Sequence, residues 1–133
     1  MAGSIDVPPV MVIDASVMLC FLLPDERNEE IQSIIRQHVD GTLALIAPPI
    51  FPYEVINGLA LAARRGRINA ETFHSLAGQF ITLAIGIRDP VLSDVGALAV
   101  TLGITAYDAS YVALARELKI PLLTLDDRLK KLP

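Results

Sequence analysis

The chain has 133 residues, 53% of them hydrophobic, and carries 11 Lys and Arg against 15 Asp and Glu, a formal net charge of −4. That length supports one domain with a core of its own, and the apolar content excludes disorder. The acidic balance excludes a nucleic-acid binder working through surplus positive charge, and the single cysteine, Cys20, excludes an internal disulfide and suits a reducing compartment such as the cytoplasm.

Mean hydropathy is +0.51. The longest uncharged runs, 75–87 and 95–107, fall well short of the ~20 residues a membrane span needs. Residues 1–9 hold no basic residue and no apolar stretch, so they are expected to be a loose lead-in rather than a signal peptide. No membrane association is expected. The apolar excess is assigned to a globular core and to an interface between chains.

In chain order, the β-branched run 10–13 reads as a buried parallel strand, ended by Asp14. Residues 15–23 read as a helix closed by Pro24, and 25–39 as a second helix with Ile31, Ile34, Ile35 and Val39 on one face. A strand is expected at 42–47, stopped by Pro48-Pro49, then helices at 51–65 and, capped by Asn69, at 70–82. Residues 83–87 are expected to form a short strand, 92–102 and 106–118 helices, 121–125 the last strand and 127–132 a short final helix. Strands apolar on both faces, separated by helices, predict an α/β domain over 10–133 with a mainly parallel sheet.

Ligands of such sheets bind at the carboxyl ends of the strands. Asp14 follows the first strand and Asp126 the last; Glu54 and Asp108 stand in the opening turns of helices that border the same edge. Each acid has a plain structural role open to it, as a helix cap or as a charge favourable to the helix dipole. Together they repel one another unless a cation or protons neutralise them. An all-oxygen donor set selects Mg²⁺ or Mn²⁺, ions that activate water and steady phosphoryl charge in phosphodiester hydrolysis. His38 and His74 have no partners at ligand spacing and are read as structural or surface residues, which leaves zinc without ligands.

The segments VIDASV, YEVINGL, TAYDASYVALA and LLTLDDRL, around Asp14, Glu54, Asp108 and Asp126, resemble the four acidic motifs of PIN-domain ribonucleases, and in particular the toxins of VapBC toxin–antitoxin pairs. The motifs stand in the family's order from about Val10 to Leu132. The resemblance implies a three-layer sandwich around a central sheet, and one or two Mg²⁺ or Mn²⁺ ions held by Asp14, Glu54, Asp108 and Asp126 for RNA cleavage. It implies supporting roles for Ser16, Asn57 and Thr124. It also implies a cognate antitoxin that docks over the site, often through a basic residue, and the apolar residues Met18, Phe21 and Leu22 suit such docking, a homodimer or core packing. Asp127 duplicates Asp126, and the T-x-D register favours Asp126 as the inward residue. The lead-in is longer than is usual for the family, whose fourth acid is also its most variable position.

Arg64, Arg65 and Arg67 form a cluster that suits an RNA phosphate or an acidic partner, or a solvated helix end. Two other classes fit less well. An aspartyl-phosphate phosphatase would carry D-x-D where this chain has Asp14-Ala15-Ser16, and a receiver domain would carry a paired acid and a late Lys; a catalytically silent binding module would be expected to have lost an acid. Setting the four site acids aside leaves 11 acidic residues against 11 basic, so the −4 belongs to the expected metal site.

Overall fold

The computed structural model describes residues 7–132; the expectation for the first six residues of the lead-in lies outside them. Four apolar runs form the strands Val10–Ile13 (β1), Ala44–Ala47 (β2), Gly86–Ile87 (β3) and Leu122–Leu123 (β4). They pair in parallel in the order β3-β2-β1-β4. Between them lie Ala15–Leu22 (α1), Glu29–Asp40 (α2), Phe51–Arg64 (α3), Ala70–Thr82 (α4), Leu92–Leu102 (α5) and Ala106–Leu118 (α6), and Asp127–Lys130 (α7) follows β4.

The strand order dictates the layers. From β1 to β2 to β3 the chain steps in one direction, and from β3 to β4 it returns past β1. Right-handed crossovers therefore put α1–α4 on one face and α5–α6 on the other. The two directions of travel part between β1 and β4, where a parallel sheet opens a crevice at its carboxyl edge. The main core gathers Val12, Ile13, Val17, Met18, Leu45, Phe51, Val55 and Leu59, all buried. Gly58 lets α3 close on α1: a Cβ there would fall 2.4 Å from Leu19 Cδ1. That packing ties the helix bearing Glu54 to the helix that Asp14 opens.

Several elements are shorter than their sequence suggests, each for a local reason. The expected helix at 25–39 is a 3-10 turn, Pro24–Glu26, then a break, and α2 starts at Glu29 because the Asn28 side chain accepts from the Ile31 N–H. Thr42 and Leu43 give their N–H groups to Gln37 O at the end of α2, so β2 begins only at Ala44. Leu83 caps α4 and Ala84 takes a left-handed φ of 53°, which trims β3 to two residues. Met18 and Leu22 are core residues and Phe21 is half-buried, so the apolar face expected there for docking is spent on packing. His38 is structural: its Nδ1 accepts from Leu45 N–H at 3.1 Å, so Nε2 carries the proton and donates to Leu83 O at 2.8 Å. His74 is exposed, with its ring edge-on to Phe73. Among the described residues no single helix is long and apolar enough to cross a membrane; α5 and α6 are bent by 115° about the break at Gly103.

Candidate active site

Asp14 leaves β1 and caps α1, accepting from the Val17 N–H at 3.2 Å. It is 5% exposed, and both carboxylate oxygens are held by hydroxyls. Ser16 Oγ donates to Oδ1 at 2.5 Å and Thr124 Oγ1 donates to Oδ2 at 2.5 Å. The hydroxyls in turn accept from backbone N–H groups of the segment after β4: Leu125 N–H to Ser16 Oγ and Asp126 N–H to Thr124 Oγ1, each at 3.0 Å. Each hydroxyl has one proton, and with a backbone N–H pointing at its oxygen that proton is directed at Asp14. Two relays therefore stitch the exits of β1 and β4 together and fix the Asp14 rotamer. Thr124 leaves the ladder to make one of them, which explains why β4 ends at Leu123. Burial still dominates the Asp14 ionisation and raises its pKa against the pull of Ser16, Thr124 and Val17.

Thr124→Val is expected to destabilise the fold by about 2 kcal/mol, because it strips one oxygen of the buried Asp14 of its donor and takes the acceptor from the half-buried Asp126 N–H. Denaturant titration of the two proteins checks this.

Glu54, in the first turn of α3, is half-buried and accepts from the Tyr111 hydroxyl at 2.5 Å. Burial raises its pKa first, and the neighbouring charges of Asp108 and Asp14 add to the rise. Tyr111 is pushed far above the ordinary phenol range by burial and by Glu54, so it acts as a donor only. Asp108 stands in the first turn of α6, whose cap Thr105 accepts its N–H at 3.0 Å. Its carboxylate reaches Arg128, whose Nη2 lies 3.4 Å from Asp108 Oδ2 and 3.5 Å from Asp126 Oδ2. Asp126 caps α7; partial desolvation is outweighed by the Arg128 N–H, the Arg128 guanidinium and the Leu129 N–H, and its pKa is lowered.

Asp14 and Asp126 thus cap helices, whereas Glu54 and Asp108 stand in first turns without capping them. Asp14, Glu54, Asp108 and Asp126 meet at the crevice, with Ser16 and Thr124 as the donors that orient Asp14. Asp127 is exposed on α7 and Asn57 exposed on α3. The arginine cluster lies elsewhere: Arg64 is ten residues beyond Glu54 along α3, about 15 Å away at ~1.5 Å per residue. Arg67 is engaged with Asp25 at 2.8 Å and Glu26 at 2.7 Å, pinning the 3-10 turn to the end of α3. Tyr111 is the functional side chain the sequence reading passes over, although its place three residues after Asp108 puts it on the same helix face.

The donors fit a hard divalent cation by their chemistry: they are all oxygens, and beyond the burial that chiefly raises the Glu54 pKa, the nearby charges of Asp108 and Asp14 add a repulsion that a cation would relieve. Among the described residues no three of these side chains form a ready-made cage, and Arg128 bridges Asp108 and Asp126, so a cation held by all four acids would require side chains to shift and Arg128 to release them.

Residues 11–133 match the family model described as PIN domain. This chain belongs to the PIN-domain family. It is 37% identical over 124 residues to Ribonuclease VapC3 of Pyrobaculum aerophilum, an alignment covering 90% of this chain and 91% of that protein. It is 33% identical over 121 residues to Ribonuclease VapC9 of Mycobacterium tuberculosis, covering 90% and 88%. The crystal structure of PAE2754 from Pyrobaculum aerophilum superposes with a TM-score of 0.71 at 26% identity, covering 91% of this chain and 77% of that one. For this PIN domain the α/β sandwich with a parallel sheet is therefore the family's fold as well as the one its strand order requires.

Proposed function

We propose that this PIN domain is a Mg²⁺- or Mn²⁺-dependent endoribonuclease and the toxin of a type II toxin–antitoxin pair. The observation that carries the reading is the doubly relayed, buried Asp14 at the sheet's switch point, with Glu54, Asp108 and Asp126 converging on it. Relatives named VapC ribonucleases support the substrate class. When bound, a divalent cation there stabilises charge on a phosphoryl oxygen and eases deprotonation of a water. Asp14 would hold the ion in one geometry because neither of its oxygens is free to turn. Tyr111 occupies Glu54 Oε1 and leaves Oε2 to ligate. Asp108 and Asp126 would complete the donor set. That Arg128 already bridges these two acids supports an antitoxin whose basic residue takes the same place. A cytoplasmic location and a homodimer belong to the same proposal.

The test uses labelled structured and single-stranded RNAs with Mg²⁺ or Mn²⁺. Cleavage is expected, with none in EDTA; cleavage that continues in EDTA overturns the reading.

Tyr111→Phe is expected to cost about tenfold in kcat and to weaken Mn²⁺ binding by a similar factor in calorimetry. It removes one bond to a carboxylate, worth ~1.5 kcal/mol or more, while keeping the buried ring.

A further inference from the structure

Beside the carboxylates, between the start of α3 and the start of α6, lies a groove of about 660 Å³. Its walls include Pro48, Pro49, Tyr53, Pro90, Leu92 and Tyr107. Tyr53 and Tyr107 each immediately precede a site acid, Glu54 and Asp108, in the first turn of a helix. Successive helical residues are about 100° apart, so each ring flanks the face that carries its carboxylate. Both rings are exposed, Tyr53 at 76% and Tyr107 at 61%, and Leu92 beside them at 81%. Single exposed apolar residues are ordinary, but three lining one groove next to Glu54 and Asp108 form a patch that calls for a partner.

We propose that this groove receives an unpaired nucleobase adjoining the scissile phosphate, stacked on Tyr53 and Tyr107. The inference rests on the ribonuclease reading and adds to it the subsite that positions the substrate. A phosphate held at the carboxylates must place its neighbouring nucleoside one step away, and the groove adjoins two of those carboxylates through Tyr53 beside Glu54 and Tyr107 beside Asp108. Its lining suits a base rather than a backbone. Asp89, Ser110 and the two phenol groups are its polar side chains, and the Ser110 hydroxyl is already spent on Tyr107 O. The prolines hold fixed φ angles and keep the slot pre-formed. Unpaired RNA is recognised chiefly by splaying bases onto aromatic rings, a contact that tolerates many sequences. The charge pattern agrees. Within the segments 48–53, 88–95 and 106–110 that frame the groove, Arg88 is the one basic residue. It is exposed, forms no ion pair among the described residues, and is anchored at the carboxyl edge by its N–H to Ala47 O at 2.9 Å. It can take the next phosphate along the strand.

The test compares steady-state cleavage by the wild type, Tyr53→Ala and Tyr107→Ala on an RNA that is cut and on the same RNA with one abasic residue at each position flanking the cut. For the wild type, KM should rise about tenfold when the base that enters the groove is missing, with kcat little changed. The alanine variants should show that higher KM on intact RNA and lose nothing further on the abasic RNA. Tyr53→Phe and Tyr107→Phe should keep the wild-type KM, since the ring does the stacking. Both alanine variants should melt as the wild type does, because neither ring is buried. Alanine variants with the wild-type KM, or an abasic loss equal in all proteins, would overturn the proposal while leaving the ribonuclease reading intact. Sedimentation that finds a wild-type dimer and monomeric alanine variants, with the abasic loss unchanged, would assign the groove to a second copy of the chain and overturn it too. A wild type that cuts no RNA removes the ribonuclease reading, and this subsite with it.

Discussion

Asp14→Asn is expected to lower RNA cleavage by about a thousandfold or more while leaving the protein as stable as before, or more so, in metal-free buffer. The loss would follow from removing the proposed ligand that the hydroxyls of Ser16 and Thr124 hold in place; about 4 kcal/mol of transition-state charge stabilisation corresponds to that factor. Stability survives because asparagine is as good a helix cap as aspartate and its carbonyl can still accept from Val17 and Ser16. The Asn amide would point at Thr124, whose oxygen accepts one N–H from Asp126 already and can take the amide as a second donor only by turning its own proton away, a loss that the removal of the buried charge offsets. The buried charge whose desolvation raises the Asp14 pKa is gone, and with it a penalty on the folded state wherever that carboxyl would be ionised. Cleavage rates and thermal melts on one preparation decide the matter. Cleavage within tenfold of the wild type would remove Asp14 from the chemistry. A melt lowered by many degrees would mean that its role is structural.

The features legible in the sequence are those that local rules control. The run 10–13 is β-branched and apolar, and Asn69 and Thr105 precede apolar periodicity, so β1, α4 and α6 start where the pattern says. The four acids are legible because a parallel sheet brings strand ends and helix starts to one edge. What local rules could not supply depends on which groups meet across the fold. The relays from Leu125 and Asp126 join residues more than a hundred positions from Asp14, and the same bonds shorten β4. Asn28 caps α2 in the fold, but in the sequence Asp25 and Glu26 suit a first helical turn as well, so the start is placed too early. Arg67 looks like a free cation in sequence and is committed to Asp25 and Glu26 only because the 3-10 turn lies against the end of α3. Met18 and Leu22 look available for docking until the closeness permitted by Gly58 buries α1 beneath α3.

Stability should respond to pH in opposite directions with and without a divalent cation. In the metal-free protein the folded pKa values of Asp14 and Glu54 lie above their unfolded values. The folded state therefore binds these protons more tightly, and their contribution to stability falls as pH rises from the unfolded carboxylate range, ~4, through the raised folded values. Asp25 and Asp126 are lowered, so their contribution is lost as pH falls through their folded values, but both lie at the surface and weigh less. Above their raised folded values the two inner acids are charged, crowded and destabilising, and that is the state a cation rewards. At an ion concentration 100 times its Kd the gain is about 2.7 kcal/mol, a rise in Tm of roughly 10 °C for a domain of this size. Protons compete for the same oxygens, so the rise should shrink as pH drops through the raised values of Asp14 and Glu54 and vanish once both are protonated. Thermal melts with Mn²⁺ and with EDTA across pH 4 to 8 measure both slopes. A Mn²⁺ increment that is independent of pH, or that persists undiminished in Asp14→Asn, would place the ion away from these carboxylates. The same coupling sets RNA affinity: with the site's charge neutralised, the remaining acidic and basic residues balance, and binding of RNA should strengthen with the ion and weaken in EDTA in step with the melt.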